Sequence, residues 1–324
     1  MAADECFLVT GALGCLGAWT VARLAREGTR VVAFDAQTDT RRLALLLPEA
    51  ERARVIHVLG DVADAAQLDA QIDQHGVTHI IHLAALLHPQ FRADPRRGVR
   101  VNALGGVNVL EAAARRPQQV KQVVYASSIA VYDAADGAGK PVPHELVGRP
   151  NTLYGVFKQA EEGMARVFLQ DAGVSSIGIR PTTVFGAGRD QGLTAGPTQA
   201  IEAAAAGAPY RIGYQGRSHL HYADDLAQVF LACARSSFHG AEVFNVRGTT
   251  ADMAEIVAQI EAATGCVRGS IVCEGGELAL PHDYDDSALQ AVIGSVPRTG
   301  LGDAIRETLA VFRGQRPRLE PAHA

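Results

Sequence analysis

Six short apolar segments separated by helix-like stretches most strongly limit how this chain of 324 residues can fold. The segments are rich in valine and isoleucine and lack polar alternation, which is typical of strands covered on both faces. They lie at 6–10, 30–34, 54–58, 78–83, 122–127 and 176–180, and helical patterns occupy 16–26, 65–75, 95–116 and 152–171. This repetition predicts an α/β fold with a doubly wound parallel sheet.

The composition of the chain changes after Gly186, where glycine, proline and alanine become frequent. We expect residues 1–186 together with about 223–264 to form the doubly wound domain. Residues from about 187 to 222 and from 265 to 324 are predicted to form a smaller, mixed C-terminal region. The tail at 314–324 is expected to be frayed and without a chemical role.

Composition excludes several classes of protein. The net charge of −5, with no block of Lys or Arg, argues against nucleic-acid binding. No apolar run approaches the ~20 residues that cross a bilayer, and the N-terminus lacks a signal pattern. Five cysteines without a CxxC motif indicate reduced thiols, no disulfide framework and no metal site. We therefore expect a cytoplasmic protein without a membrane or nucleic-acid partner.

Three glycines follow the first apolar segment in the stretch VTGALGCLG, at the spacing G-x-x-G-x-x-G. Gly11 is expected to make a tight turn, Gly14 to let the backbone approach a pyrophosphate, and Gly17 to let helix and strand pack closely. A helix that begins there offers free N–H groups to phosphate. The position of this glycine-rich stretch between the first strand and the first helix predicts a dinucleotide-binding loop.

Asp35 ends the second apolar segment. A carboxylate at this position accepts hydrogen bonds from the adenosine ribose hydroxyls and repels a 2′-phosphate, which favours NAD over NADP. Arg41 and Arg42 follow within a few residues and are suited to bind such a phosphate, so NADP stays open as an alternative.

Residues after the third and fourth segments also suit a dinucleotide. Asp61 and Val62 are placed to hold an adenine edge, and Ala84 and Ala85 allow the backbone to lie close to the cofactor. His82 and His88 are interpreted as a packing residue at a strand end and a surface loop residue.

Tyr154 and Lys158 lie four residues apart, on one face of a predicted helix. In this geometry the lysine ammonium stands near the phenol and favours its ionised form, as a general base for an alcohol requires. The alternative is a structural tyrosine beside a solvated lysine.

Eight stretches together resemble one known family. They are TGALGCLG, GDVAD, HLAA, VNALGGVNVLEAA, YASSIAVY, YGVFK, RPTTVFGAG and YADDLA, covering about residues 5–247. In order and spacing they resemble extended short-chain dehydrogenases/reductases, and more narrowly the NAD-dependent epimerase/dehydratase group. The resemblance implies a Rossmann-like fold, bound NAD, a substrate-binding smaller region, and a homodimer formed by helices near 95–116 and 152–171.

The resemblance also implies a set of site residues. The catalytic residues would be Ser128, chosen over Ser127, with Tyr154 and Lys158. Asn102 would steady the helix beneath the site. The implied cofactor-binding residues are Gly11, Leu13, Gly14, Cys15, Leu16, Gly17, Asp35, Asp61, Val62, Leu83, Ala84, Ala85, Asn102, Tyr154, Lys158, Pro181 and Val184.

The second half departs from the pattern of nucleotide-sugar enzymes. Thr183 replaces an asparagine common in sugar-nucleotide epimerases, and Ser218 stands where a substrate-phosphate arginine is usual, although Arg217 is adjacent. Because a diphosphate needs charge-assisted donors, this indicates a smaller substrate such as a free sugar, sugar acid or lactone. Ser128, Thr183 and Arg217 are the expected substrate-binding residues, and His219 and His221 are interpreted as surface residues.

These features predict an NAD-dependent oxidoreductase that moves a hydride at a secondary alcohol of a sugar or sugar derivative. It would be either an epimerase that keeps its NAD or a dehydrogenase that releases NADH. The alternatives are a nucleotide-sugar 4-epimerase and a non-catalytic dinucleotide-sensing protein. A dehydratase is disfavoured because Ile129 and Ala130 stand where such enzymes place an acidic pair.

Overall fold

The computed structural model describes residues 5–136, 139–315 and 317. The expectations for residues 1–4, and those for the tail at 316 and 318–324, lie outside the described residues. The described strands are β1 Cys6–Thr10, β2 Arg30–Asp35, β3 Ile56–Leu59, β4 His79–His82, β5 Gln122–Ala126, β6 Ser176–Arg180, β7 Thr183–Phe185, β8 Tyr210–Ile212, β9 Arg217–Tyr222, β10 Ala241–Asn245, β11 Thr249–Asp252 and β12 Ile271–Cys273.

Helices fill the connections between these strands. They are α1 Cys15–Glu27, α2 Arg41–Leu46, α3 Glu49–Arg52, α4 Ala65–His75, α5 His88–Ala93, α6 Pro95–Val99, α7 Gly105–Ala114, α8 Leu153–Ala172, α9 Gly196–Ala205, α10 Ala223–Arg235, α11 Met253–Thr264, α12 Ser287–Ile293 and α13 Leu301–Phe312. A π-helical segment spans Arg100–Leu104 and a 3₁₀ turn spans Ile129–Val131.

Seven strands form the main sheet in the order β10-β6-β5-β4-β1-β2-β3, and every pairing is parallel. This confirms the predicted doubly wound, Rossmann-like α/β fold. The strand order reverses beside β1, which pairs with β2 on one side and β4 on the other. Ligands of such sheets bind outside the carboxyl ends of the strands at this point, so the fold places the site beside Thr10 and His82.

The continuous apolar character of the strands follows from two cores, one on each sheet face. In β1, Phe7 and Val9 belong to the core that contains Trp19 of α1, while Cys6 and Leu8 belong to the opposite core. Both faces of β1 are buried, so polar alternation has no place in this strand.

Two small sheets complete the fold. One has the order β11-β9-β7, and β8 pairs with β12 in the other. Strand β10 belongs to the main sheet, next to β6. The division into a larger domain and a smaller substrate-binding region stays a proposal. Among the described residues, no helix combines the length and apolar character that a membrane crossing requires.

The helix predicted over 95–116 is divided. Helix α6 ends at Val99, a π-helical turn spans Arg100–Leu104, and α7 starts at Gly105. A π turn widens the helix by one residue and is frequent at functional sites. Here it carries Asn102, which is 1% exposed.

Candidate active site

The glycine-rich loop lies between β1 and α1, as predicted. Gly11 has a φ of 65°, and a Cβ there would lie 2.6 Å from the Ala84 nitrogen. A Cβ on Gly17 would lie 2.1 Å from the Gly11 oxygen. No side chain fits at either position, so the loop packs backbone against backbone. Helix α1 then begins at Cys15 without a side-chain cap, which leaves its first N–H groups free for a phosphate.

Asp35 fixes the outer side of this loop. Its Oδ2 accepts a hydrogen bond from the Leu13 nitrogen at 2.8 Å, and its Oδ1 accepts one from the Gln37 nitrogen at 3.0 Å. Burial raises the pKa of the Asp35 carboxyl, while these backbone N–H groups and Arg42 oppose the rise. Each oxygen of the Asp35 carboxylate therefore accepts one backbone hydrogen bond and retains a lone pair that a ribose hydroxyl can use.

Arg42 lies over the same loop. Its Nη1 donates to the Leu13 oxygen at 2.8 Å, and its Nη2 donates to Asp190 Oδ1 at 2.6 Å. Asp190 also accepts from Arg41 at 3.2 Å. These contacts join α2 to the loop after β7. The sequence singled out both arginines, but it gave no signal for their shared partner.

The loops after β3 and β4 form the next wall. Asp61 accepts a hydrogen bond from the Ala63 nitrogen at 2.9 Å, and Asn108 donates to the Val62 oxygen at 2.8 Å. Asn102 accepts from the Leu86 nitrogen at 2.8 Å and donates to the Leu86 oxygen at 3.0 Å. Asn102 thus holds the backbone of the loop after β4, which is how it supports the site.

Tyr154 and Lys158 lie in the first turns of α8. Thr152 caps this helix by accepting a hydrogen bond from the Gly155 nitrogen at 3.0 Å. Tyr154 is partly exposed, whereas Lys158 is buried. The alternative of a solvated surface lysine is therefore wrong for Lys158.

Ser128 and Ser127 differ in environment. Both serines line the cleft that contains Tyr154, and the Ser128 oxygen caps the 3₁₀ turn by accepting from the Ala130 nitrogen at 3.1 Å. Ser127 is 2% exposed and donates to the Glu162 carboxylate. Ser127 is thus bonded to a buried structural group, whereas the described side-chain bonds of Ser128 leave its proton uncommitted.

A cleft of about 510 Å³ opens at the carboxyl ends of the strands. It brings together thirteen of the predicted residues, namely Gly11, Gly14, Cys15, Leu16, Gly17, Leu83, Ala85, Ser128, Tyr154, Lys158, Pro181, Thr183 and Val184. Seven others lie outside its lining: Leu13, Asp35, Asp61, Val62, Ala84, Asn102 and Arg217. Leu13, Asp35 and Asn102 do not line the cleft but form hydrogen bonds that involve the backbone of the loops around it.

The substrate side differs from the sequence interpretation at several positions. Arg217 is exposed at the start of β9, and Ser218 is 3% exposed. His219 and His221 are 5% and 4% exposed, so their interpretation as surface residues is wrong. Burial lowers the pKa of His219 to about 4. Both rings are covered by other parts of the fold: the His219 ring lies 5.0 Å from the Tyr284 ring, and His221 Nε2 lies 3.1 Å from the Val246 oxygen.

Arg189 is a cleft residue that sequence reasoning missed. It lines the cleft together with Thr183 and Tyr154, and its buried Nε has no hydrogen-bond partner. Its Nη2 makes one long contact, 3.4 Å to Thr194. A guanidinium with unused donors is suited to an anionic group. Its position just after the glycines of RPTTVFGAGR was the available signal.

The site fits a nicotinamide dinucleotide. The side-chain-free surface of the loop and the free N–H groups of α1 would hold the phosphates, and the Asp35 carboxylate would hold a ribose. Lys158 and Tyr154 line the same cleft. Within the described ranges, no three His, Cys, Asp or Glu side chains gather into a metal site.

Part of the chain is similar in sequence to curated proteins of known activity. The chain is 35% identical over 191 residues to UDP-glucuronate 4-epimerase 3 of Arabidopsis thaliana, which covers 55% of this chain and 42% of that relative. The chain therefore spans less than half the length of the curated relative that it matches.

Solved structures share the fold over nearly the whole chain. A partial-consensus L-threonine 3-dehydrogenase superposes with a TM-score of 0.84 at 24% identity, covering 96% of this chain and 100% of the other. UDP-glucose 4-epimerase of Thermus thermophilus, solved with NAD, superposes with a TM-score of 0.81 at 24% identity, covering 95% and 99%.

A family model settles the membership that the motifs predicted. The model of the NAD-dependent epimerase/dehydratase family matches residues 7–246. This confirms the predicted family and the NAD cofactor. The chain belongs to the NAD-dependent epimerase/dehydratase family of extended short-chain dehydrogenases/reductases.

Proposed function

We propose that this enzyme transfers a hydride at a secondary alcohol of a sugar or sugar-derived substrate, with Ser128, Tyr154 and Lys158 as its catalytic residues. The observation that carries the proposal is their shared cleft: all three line it together with the glycine-rich loop that fits NAD. Bound NAD supplies the hydride acceptor.

Each residue has a distinct task in this proposal. Tyr154 takes the hydroxyl proton as the hydride leaves, because an alcohol gives up a hydride only as its proton departs. Ser128 donates a hydrogen bond to the substrate oxygen and orients it. Lys158 brings its positive charge into the part of the cleft where Tyr154 lies.

The cations of the cleft support a substrate smaller than a nucleotide sugar. Among its described lining residues, the arginines and lysines are Arg42, Lys158 and Arg189. Arg42 is bonded to Asp190 and Lys158 to buried groups, which leaves Arg189 for the substrate. A nucleotide diphosphate usually needs several charge-assisted donors. One free guanidinium suits a single carboxylate, so a sugar acid is the favoured substrate.

A nucleotide-sugar 4-epimerase is the second candidate. It is supported by the relatives, whose names describe UDP-glucuronate 4-epimerases. Arg217 would then have to serve the diphosphate, although it is exposed and lies outside the cleft lining.

Calorimetric titration of the NAD-bound protein separates the two candidates. UDP, UDP-glucose, UDP-glucuronate and free uronates would be added in turn, after a turnover screen of aldoses, uronates and polyols with NAD. Binding of a uronate without binding of UDP supports the first proposal. Micromolar binding of UDP would overturn it, and Arg217→Ala would then test the diphosphate contact.

Cofactor retention distinguishes the two possible outcomes of hydride transfer. An epimerase returns the hydride to the same substrate and keeps its NAD, whereas a dehydrogenase exchanges NADH for NAD in each cycle. Native mass spectrometry of the purified protein would measure the bound fraction. Retained NAD favours epimerisation, and an empty site favours a dehydrogenase.

A homodimer formed through α8 and the helices near 95–116 is also proposed. Apolar and small residues lie at heptad-like spacing on an outward face of α8, at Leu153, Val156, Ala160, Gly163 and Val167. Leu153, Val156 and Val167 are 49%, 44% and 50% exposed. Such a stripe favours helix packing between subunits. Sedimentation of wild type and Val156→Glu would test it, with a monomeric variant expected.

A further inference from the structure

Helix α8 carries two adjacent buried carboxylates, each with its own cation. Glu161 and Glu162 are 2% and 3% exposed. Glu162 forms a two-pronged ion pair with Arg180, at 2.8 Å and 2.7 Å. Glu161 accepts a hydrogen bond from Lys158 Nζ at 2.9 Å. Glu162 therefore pairs with a residue of β6, whereas Glu161 pairs with the lysine of the proposed catalytic set.

Lys158 is far from an ordinary surface lysine. Its side chain is 3% exposed, and its Nζ donates to the Ala126 oxygen at 2.5 Å as well as to Glu161. Burial is the strongest influence on its ammonium and disfavours the charge, yet its pKa is raised above the usual range because Glu161 chiefly opposes burial. Glu161 is thus the main group that opposes desolvation of the ammonium, with smaller contributions from Tyr154 and Glu162.

His82 faces the other Glu161 oxygen but brings no charge. Thr10 Oγ1 accepts from the Ala84 nitrogen at 3.4 Å and lies 2.7 Å from His82 Nδ1, so this side of the ring is bonded to β1. His82 Nε2 lies 3.6 Å from Glu161 Oε1. Burial lowers the pKa of His82 to about 3, with the Lys158 charge adding to the effect. The imidazole is therefore neutral at physiological pH.

The remaining groups around the pair do not replace Glu161. Helix α7 presents a backbone there, since a Cβ on Gly106 would lie 3.2 Å from Glu161 Oε1. The other titratable groups that act on the pair are Tyr154 and Glu162 on α8, His82 on β4 and Tyr125 on β5. Burial raises the pKa of Tyr125 well above its usual range. Among the described residues, Glu161 is the carboxylate in direct contact with Lys158.

We propose that Glu161 is a positioning residue that keeps the buried Lys158 protonated and holds its ammonium beneath the reacting oxygen of the substrate. This rests on the proposed role of Lys158 in hydride transfer. Two Nζ protons go to Glu161 and Ala126, and the third is left to point into the cleft. Without Glu161, the ammonium would be a buried charge with no carboxylate in direct contact, and its pKa would fall.

The lysine content of the chain permits a direct test without substrate or cofactor. The sequence contains three lysines, Lys121, Lys140 and Lys158, and the first two are exposed. Nuclear magnetic resonance of protein labelled with ¹³C-lysine would follow the Lys158 side chain through a pH titration, with the exposed lysines as internal references. In Glu161→Gln we expect the Lys158 pKa to fall by about 2 units or more. An unchanged Lys158 titration would overturn the proposal.

Glu162→Gln is the matched control, because it makes the same change at the next, equally buried residue. Its partner is Arg180, so the Lys158 titration is expected to move much less. An equal shift in both variants would show that the total buried charge matters rather than the Glu161 contact, and would contradict the proposal. Glu161→Asp retains a carboxylate and is expected to keep Lys158 protonated.

A second measurement covers the case in which Glu161→Gln does not fold. Lys158→Met combined with Glu161→Gln leaves no unpaired charge, so the double variant should be more stable than Glu161→Gln alone. A double variant of equal or lower stability would contradict the pairing. Turnover of Lys158→Met tests the proposed function separately, because the titration of Lys158 does not depend on catalysis.

Discussion

Arg42 and Asp190 join the two sides of the cofactor cleft, with 2.6 Å between Arg42 Nη2 and Asp190 Oδ1. Arg42 also donates to the Leu13 oxygen, and Leu13 donates to Asp35, so the contact continues to the end of β2. Arg41 shares the same carboxylate. The two arginines that could favour a 2′-phosphate are therefore neutralised by a residue about 150 positions further along the chain.

Asp190→Asn is expected to weaken the preference for NAD. The change frees Arg41 and Arg42 while Asp35 stays in place, so NADP should bind more tightly by up to about tenfold, or 1.4 kcal/mol. Calorimetric dissociation constants for NAD and NADP measure the ratio. Asp303→Asn, which breaks an exposed ion pair on α13, is the control. An unchanged ratio in Asp190→Asn would mean that the arginines do not face the adenosine ribose.

Gly17→Ala is expected to damage the cofactor loop. The added Cβ would lie 2.1 Å from the Gly11 oxygen, so α1 must move away from the loop, at a cost of about 1–3 kcal/mol of folding free energy. NAD affinity should fall as well. The control is Gly163→Ala in α8, where the nearest atom to the added Cβ is Arg166 Nη2 at 3.8 Å. Chemical denaturation and NAD titration of both variants measure the difference, and equal stabilities would refute the steric argument.

The main sheet was predictable from sequence because strand character there depends on local composition. The predicted strand at 176–180 and the predicted helix at 65–75 agree with the structure residue for residue. The division of 95–116 was not predictable, because a π turn is fixed by the fit of Asn102 against the loop at Leu86 rather than by apolar spacing.

The site was predictable to the extent that its motifs are local. The glycine loop and the spacing of Tyr154 and Lys158 are recognised from neighbouring residues. The structure places the loop glycines, Tyr154 and Lys158 in one cleft. The pairing of Arg42 with Asp190 joins residues far apart in the chain, which no local pattern reports. Glu161 lies three residues after Lys158, but only burial shows that its carboxylate faces the ammonium.

His82 should make the fold sensitive to acid. Burial lowers its pKa to about 3, whereas an unfolded histidine has a pKa of about 6.5. As the pH falls below about 6.5 the unfolded chain binds this proton and the folded chain does not, so stability falls, by about 1.4 kcal/mol per pH unit. Between pH 6.5 and pH 5, the free energy of unfolding of His82→Gln should therefore decrease by about 2 kcal/mol less than that of wild type.

Urea unfolding at several pH values measures this difference. His239→Gln, at an exposed position, controls for loss of an imidazole from the surface. If His82→Gln and wild type lose stability in parallel, the buried imidazole is not the group that takes up the proton.

Tyr154→Phe tests the proposed base most directly. The change retains the aromatic ring and removes the oxygen that takes the substrate proton. Turnover on the substrate found by screening should fall by roughly 10²–10⁴, the usual contribution of a positioned acid or base. NAD affinity should be nearly unchanged, because the glycine loop, Asp35 and Lys158 remain in place.

Lys158→Met is the informative comparison for that variant. It removes a charge that acts on the Tyr154 oxygen and leaves Glu161 buried without its cation. Turnover, NAD affinity and folding stability should then all decrease, the last by about 3–5 kcal/mol. Steady-state kinetics, NAD titration and denaturation of the two variants separate the roles. Near wild-type turnover in Tyr154→Phe would show that the phenol is structural, and the base would have to be sought elsewhere in the cleft.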